Sequence, residues 1–128
     1  MTLDPKVRAV LDGAEIAHLA TVLPDGAPHA VPVWVGTEGD HVVVLTGPAS
    51  RKARNVRRDP RVALSVAPAG NPFEPVTVRG RVVRWLEGDA AWTVVDRIAT
   101  KYLGGPYPRE DERVVLVIEP ERQTVGVG

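Results

Sequence analysis

The residues best suited to chemistry lie in one run, Leu45-Thr46-Gly47-Pro48-Ala49-Ser50-Arg51-Lys52-Ala53-Arg54-Asn55. An apolar strand ends at Thr46, Gly47 and Pro48 turn the chain, and Ser50 is a good N-cap for a following helix. A helix start carries unpaired backbone N–H groups and a partial positive charge. Acidic side chains normally fill that first turn, yet here it holds Arg51 and Lys52. Cations placed on a positive helix end cost stability unless an anion offsets them, so the pattern points to a phosphate site. The plainer reading is a solvated basic face with no ligand, the usual fate of a charge run. Between Asp40 and Asp59 there is no acidic residue, while Arg51, Lys52, Arg54, Arg57 and Arg58 all fall there, and this asymmetry favours the anion.

A second stretch, Leu19 to Val35 (LATVLPDGAPHAVPVWV), is a hairpin with a proline inside its returning strand. Pro32 cannot donate to a ladder, so the strand is irregular there or faces a groove. Free backbone groups at such a break suit the polar edge of a planar heterocycle. The alternative is an edge strand protected by proline. Other chemistries find little support. His18, His29 and His41 are scattered, and no His/Asp/Glu cluster has metal-ligand spacing. There is no G-x-S-x-G, Walker or dinucleotide fingerprint, and Ser50 has no adjacent base to make it a nucleophile. No catalytic acid or base can be singled out.

These segments need elements to position them. Asp4-Pro5 predicts a helix start, with the helix running to about Leu11 and stopping at Gly13. Strands are expected over Ile16–Leu23, His29–Gly36 and His41–Thr46, joined by turns at Pro24-Asp25-Gly26 and Glu38-Gly39-Asp40. The third is β-branched and almost wholly apolar, which predicts burial on both faces. A short helix over Ser50–Arg58 places Ala49, Ala53 and Val56 on one side and ends at Asp59-Pro60. Further strands follow at Arg61–Ala67 and Val76–Leu86, separated by a Pro/Gly-rich loop. Gly80 within the latter predicts a bulge or a close backbone approach. An amphipathic helix over Asp89–Leu103 has Ala91, Trp92, Val94, Val95, Ile98, Ala99, Tyr102 and Leu103 as its apolar side. Closing strands are expected at Arg113–Ile118 and Thr124–Gly128. Many short strands at this spacing describe a single mainly β domain over residues 1–128, a barrel or sandwich with short helices.

With 128 residues, 44% hydrophobic and 25% charged, the chain is an ordinary globular domain. It has no cysteine, which excludes disulfides and thiolate chemistry and fits a reducing compartment. No apolar run reaches the roughly 20 residues that span a bilayer, and MTLDPKVRAV is not a signal peptide, so a cytoplasmic protein without a membrane partner is expected. A formal net charge of zero argues against nucleic acid as a partner. The local positive site suits a small anion better.

The succession ATVLPDGAPHAVPVWV, a strand ending in Thr46, SRKARNVRRDPRVALSV and VTVRGRV resembles the pyridoxamine 5'-phosphate oxidase-like superfamily. Within it the chain is most similar to the short F420-dependent branch, the B-type flavin/deazaflavin oxidoreductases, over about residues 10–120. The resemblance implies a split β-barrel of the FMN-binding type that forms a homodimer, with two cofactor sites at the subunit interface. It implies that backbone around Val31, Pro32 and Val33 faces the tricyclic ring, and that Thr46 and Ser50 lie near the ribityl chain and phosphate. Arg51 and Lys52, with Arg54 and Asn55 behind them, would hold the phosphate or an acidic tail. Arg79, with Arg81, would approach from the partner subunit. The implied cofactor is coenzyme F420, with FMN as the alternative. The implied activity is F420H2-dependent reduction of a conjugated small-molecule electron acceptor such as an enone or quinone. A pyridoxamine phosphate oxidase-like FMN enzyme and a non-catalytic cofactor-binding protein are the alternatives on the same fold. The chain ends Val-Gly-Val-Gly where true pyridoxamine phosphate oxidases carry Arg-Leu-Ala-Pro, which sets it apart from them.

Overall fold

The computed structural model describes residues 1–127. In chain order the elements are α1 (Pro5–Asp12), β1 (Ala17–Val22), β2 (Pro28–Val33), β3 (Val35–Glu38), β4 (His41–Thr46), α2 (Arg51–Arg58), β5 (Arg61–Val66), β6 (Val76–Leu86), α3 (Gly88–Leu103) and β7 (Val114–Val125). The seven strands form one sheet in the order β2-β1-β5-β6-β7-β4-β3, with every pairing antiparallel. Its two end strands, β2 and β3, are consecutive in the chain and separated by Trp34 alone. A sheet whose opposite ends are one residue apart must roll up, and the result is a split β-barrel with three short flanking helices.

The alternation of side chains sorts the core into two parts. Val42, Val44, Leu116 and Ile118 point into the barrel, where they meet Leu19, Leu64, Val76 and Val78. Leu3, Val7 and Leu11 of the N-terminal segment join the same core, so α1 plugs the barrel. Val43, Val115 and Val117 point the other way and pack under Ala91, Val94, Val95 and Ile98 of α3. This is why β4 and the first half of β7 read as continuous apolar runs: both faces are covered. Asp4 caps α1 by accepting the Lys6 N–H at 2.8 Å. The apolar side of α3 is as expected except for Leu103, which is 54% exposed at the helix end. Ala49, expected on the buried side of α2, precedes the helix and is exposed.

Two expectations are corrected. The strand foreseen over His29–Gly36 is two strands, because β2 pairs with β1 while β3 pairs with β4 at the other end of the sheet. Pro32 and Pro28 lie opposite His18 and Val22. Proline has no N–H, so the hydrogen-bonded pairs of this ladder fall on the intervening residues, and both prolines turn their ring nitrogens to the free edge. The two closing strands are one, β7, which runs through Glu119–Gln123; Gly128 lies outside the described residues. Gly80 explains the continuity. A Cβ there would stand 2.1 Å from the Glu119 carbonyl oxygen, and the β6–β7 register shifts between Arg79 and Gly80. Pro120 sits opposite Gly80, so the bulge absorbs a residue that would otherwise interrupt the ladder.

Candidate functional site

Where the barrel splits, a cavity of about 570 Å³ opens beside the junction of β2 and β3, the end of β4 and the start of α2. Pro32, Val33 and Trp34 line one side, and Leu45, Thr46 and Gly47 another. Ser50 and Lys52 enter from α2, and Tyr107 and Arg113 from the segment between α3 and β7; Ile16 stands at the rim. Five of the residues singled out in the sequence therefore meet: Pro32, Val33, Thr46, Ser50 and Lys52.

The polar end is built around α2. The Ser50 hydroxyl accepts the Ala53 N–H at 3.2 Å and shares a 2.8 Å hydrogen bond with Thr46 Oγ1, so the end of β4 and the start of α2 are tied. Lys52, in the first turn, is half-buried. Its pKa is held below the usual lysine value, first by burial and then by the nearby charge of Arg113. Arg113 makes its hydrogen bonds to neutral groups. Its Nε donates to the Tyr107 hydroxyl at 3.2 Å and Nη1 to the Glu112 carbonyl at 2.8 Å, and the guanidinium lies 5.2 Å from the Tyr107 ring centre. Among the described residues neither Lys52 nor Arg113 has a carboxylate partner. Two cations converge on the cavity, neither of them in an ion pair among the described residues, next to a helix N-terminus. A Cβ at Gly47 would make ordinary contact with Arg113 Nη1, at 3.6 Å.

One wall, beside Arg113, is aromatic. Trp34 stacks on Tyr102 with ring centres 4.7 Å apart and planes 5° from parallel. Tyr107 meets Trp34 edge-on at 6.0 Å. The segment carrying Tyr107 and Arg113 is pinned by Asp96 of α3, which accepts the Tyr107 N–H at 3.0 Å and two Arg109 hydrogen bonds at 2.8 and 2.6 Å. Those Arg109 bonds hold the Asp96 carboxyl below its ordinary range. Arg109 in turn covers the Trp92 ring at 3.9 Å.

The remaining candidates lie elsewhere. Val31 packs against the barrel core. Arg51 and Arg54 are exposed on the outer side of α2, beyond the cavity. Asn55 is fully buried, and its amide donates to Thr21 Oγ1 at 3.0 Å, so one turn past the N-terminus the helix is already packed on β1. Arg57 stacks 4.0 Å over Trp85, and Arg58 donates to the Val22 carbonyl. Arg79 lies on the outer face of the sheet, in a separate groove of about 590 Å³ with His18, Ala20, Ala30, Ala63, Thr77 and Arg122. Arg81 pairs with Glu121 at 3.0 Å. Leu45 and Gly47 belong to the run singled out in the sequence, whereas Arg113, Tyr107, Trp34 and Ile16 were not foreseen as site residues. Of these only Trp34, two residues past the Pro32 break, carried a local signal.

A family model described as pyridoxamine 5'-phosphate oxidase matches residues 3–124. No curated protein matches the chain. Among solved structures, an F420 reductase superimposes with a TM-score of 0.84 at 28% identity, covering 95% of this chain and 98% of its own. The conserved hypothetical protein Rv2991 from Mycobacterium tuberculosis gives 0.81 at 25% identity, covering 98% and 85%. General Stress Protein 26 from Bacillus anthracis str. Sterne gives 0.75 at 20% identity, covering 94% and 91%, a likeness of fold. Among the described residues no helix is long and apolar enough to cross a membrane.

Proposed function

This chain belongs to the pyridoxamine 5'-phosphate oxidase family, and from that premise we propose that it is an oxidoreductase that binds coenzyme F420 and reduces a conjugated small-molecule acceptor, an enone or quinone. The observation that carries the reading is the convergence of Lys52 and Arg113, neither in an ion pair among the described residues, on a cavity with an aromatic wall of Trp34 and Tyr107. A cationic site and an apolar, aromatic wall fit a flat heterocycle with a phosphate-bearing arm.

When bound in its reduced form, the cofactor supplies a hydride. The chain supplies the rest. Lys52, Arg113 and the free N–H groups of the first turn of α2 would hold the phosphate, with Thr46 and Ser50 beside the arm that leads to it. Pro32 and Val33 line the ring end with backbone and apolar side chains, and Trp34 and Tyr107 limit water there. In this reading the proton that completes the reduction comes from solvent. Arg51 and Arg54, exposed and free of carboxylate partners among the described residues, extend the positive surface beyond the cavity. That surface favours F420, with its acidic tail, over FMN, and the likeness to an F420 reductase points the same way.

Among the described residues no element covers the outer sheet face around Ala20, Ala30, Ala63 and Thr77, and its small side chains suit a second copy. Homodimerisation there would place Arg79 at the subunit interface. The test is titration of the purified protein with F420 and with FMN, followed by light scattering and by turnover of a quinone panel with reduced F420. Tighter binding of F420, a dimeric mass and quinone-dependent oxidation are expected. Failure to bind either cofactor refutes the reading, and binding without turnover leaves a carrier.

A further inference from the structure

Trp34 is the single residue between the two strands that end the sheet, and it belongs to two cavities at once. One is the cavity described above. The other is a cleft of about 220 Å³ lined by Leu103, Pro108, Glu110 and Asp111. Trp34, Tyr107 and Arg113 are common to both, so they form the boundary across which two ligands would meet. A ring in that place must be held still, yet Trp34 lies in neither β2 nor β3.

Two neighbouring side chains of the last turn of α3 hold it instead. Tyr102 covers one face of Trp34, and its hydroxyl accepts the Val35 N–H at 3.3 Å while donating to the Glu15 carbonyl at 2.6 Å. Lys101 Nζ donates to the Val35 carbonyl at 2.6 Å, and to those of Leu11 and Gly13 at 2.9 and 3.1 Å. Both backbone polar groups of the residue after Trp34 are thus fixed from one helix turn. A half-buried ammonium that spends all three hydrogens on carbonyls is a rigid tie. Three of its anchors, Leu11, Gly13 and Val35, come from two different parts of the chain, and α3 holds them together against the barrel.

We propose that Lys101 and Tyr102 are positioning residues for Trp34, and that Trp34 is the wall against which the flat electron acceptor packs beside the cofactor. The second half rests on the function proposed above; the first does not. The smaller cleft then serves as the acceptor's entry, and its specificity is for planar conjugated molecules that match the ring surface Tyr102 leaves uncovered.

The test uses a Trp85→Phe, Trp92→Phe background, in which Trp34 is the sole tryptophan. Lys101→Met and Tyr102→Phe are compared there by acrylamide quenching of Trp34, by F420 affinity and by steady-state reduction of menadione with reduced F420. Both changes are expected to raise the quenching constant about twofold. They should raise KM for menadione about fivefold, with kcat and F420 affinity within about twofold. In a Trp34→Leu background the same changes should leave KM where Trp34→Leu puts it, because their effect travels through the ring. Unchanged quenching, or KM effects that simply add in the Trp34→Leu background, would overturn the proposal. A wild-type protein that binds neither cofactor overturns the proposed function and the acceptor wall with it, whereas quenching alone decides whether Lys101 and Tyr102 hold Trp34.

Discussion

Replacing Lys52 with methionine should make the protein more stable and a worse binder. The lysine is half-buried, its charge is opposed by burial and by Arg113, and no carboxylate acts on it. Methionine keeps most of the apolar stem and removes the unfavourable charge. For a partly exposed pair of like charges the relief is about 0.5 kcal/mol. In a domain of this size that raises Tm by about 1–3 °C. The same change deletes a charge-assisted contact to the bound anion, which contributes about 1.5–3 kcal/mol. Cofactor affinity should therefore fall by about 10- to 150-fold. Scanning fluorimetry without ligand reads the first effect, and titration with F420 and FMN reads the second. A variant with lower Tm and unchanged affinity would show that Lys52 is a structural residue, and the anion-site argument would fail with it.

The lowered pKa of Lys52 also sets a pH dependence. A bound anion favours the ammonium, so affinity should decline as pH rises toward and past the depressed value, below the ordinary 10.5, with proton uptake on binding. Lys52→Arg, whose charge persists, should flatten that decline in calorimetric titrations across alkaline pH. Gly80→Ala should cost about 2–3 kcal/mol or more, because the added Cβ has only the Glu119 backbone, 2.1 Å away, to push against. A urea midpoint close to wild type would contradict the bulge geometry. Asn55→Ala should cost about 1–3 kcal/mol by stranding Thr21 in the interior, while F420 affinity stays within about twofold. A large loss of affinity with little loss of stability would return Asn55 to the binding site.

The local features of the site were legible in the chain order because they depend on neighbours a few residues apart. Ser50 as a cap, the cationic first turn of α2, the strand ending at Thr46 and the break at Pro32 are all contained in segments of ten residues or so, and helix capping and proline geometry act over that range. The two-sided burial of β4 was equally visible, since an apolar run without alternation has no solvent face. Tertiary structure decided what no local rule reaches. It split His29–Gly36 into β2 and β3, because sheet closure forces the chain to change partners at Trp34. It turned Asn55 inward to Thr21 and left Arg51 and Arg54 outside, because the packing of α2 on β1 sets which side of the helix is buried. It also brought Arg113 to Lys52 across some sixty residues, through the β4–β7 register that pairs Val114 with Thr46. A cation's partner in space is fixed by strand pairing, and strand pairing is a property of the closed sheet rather than of either segment.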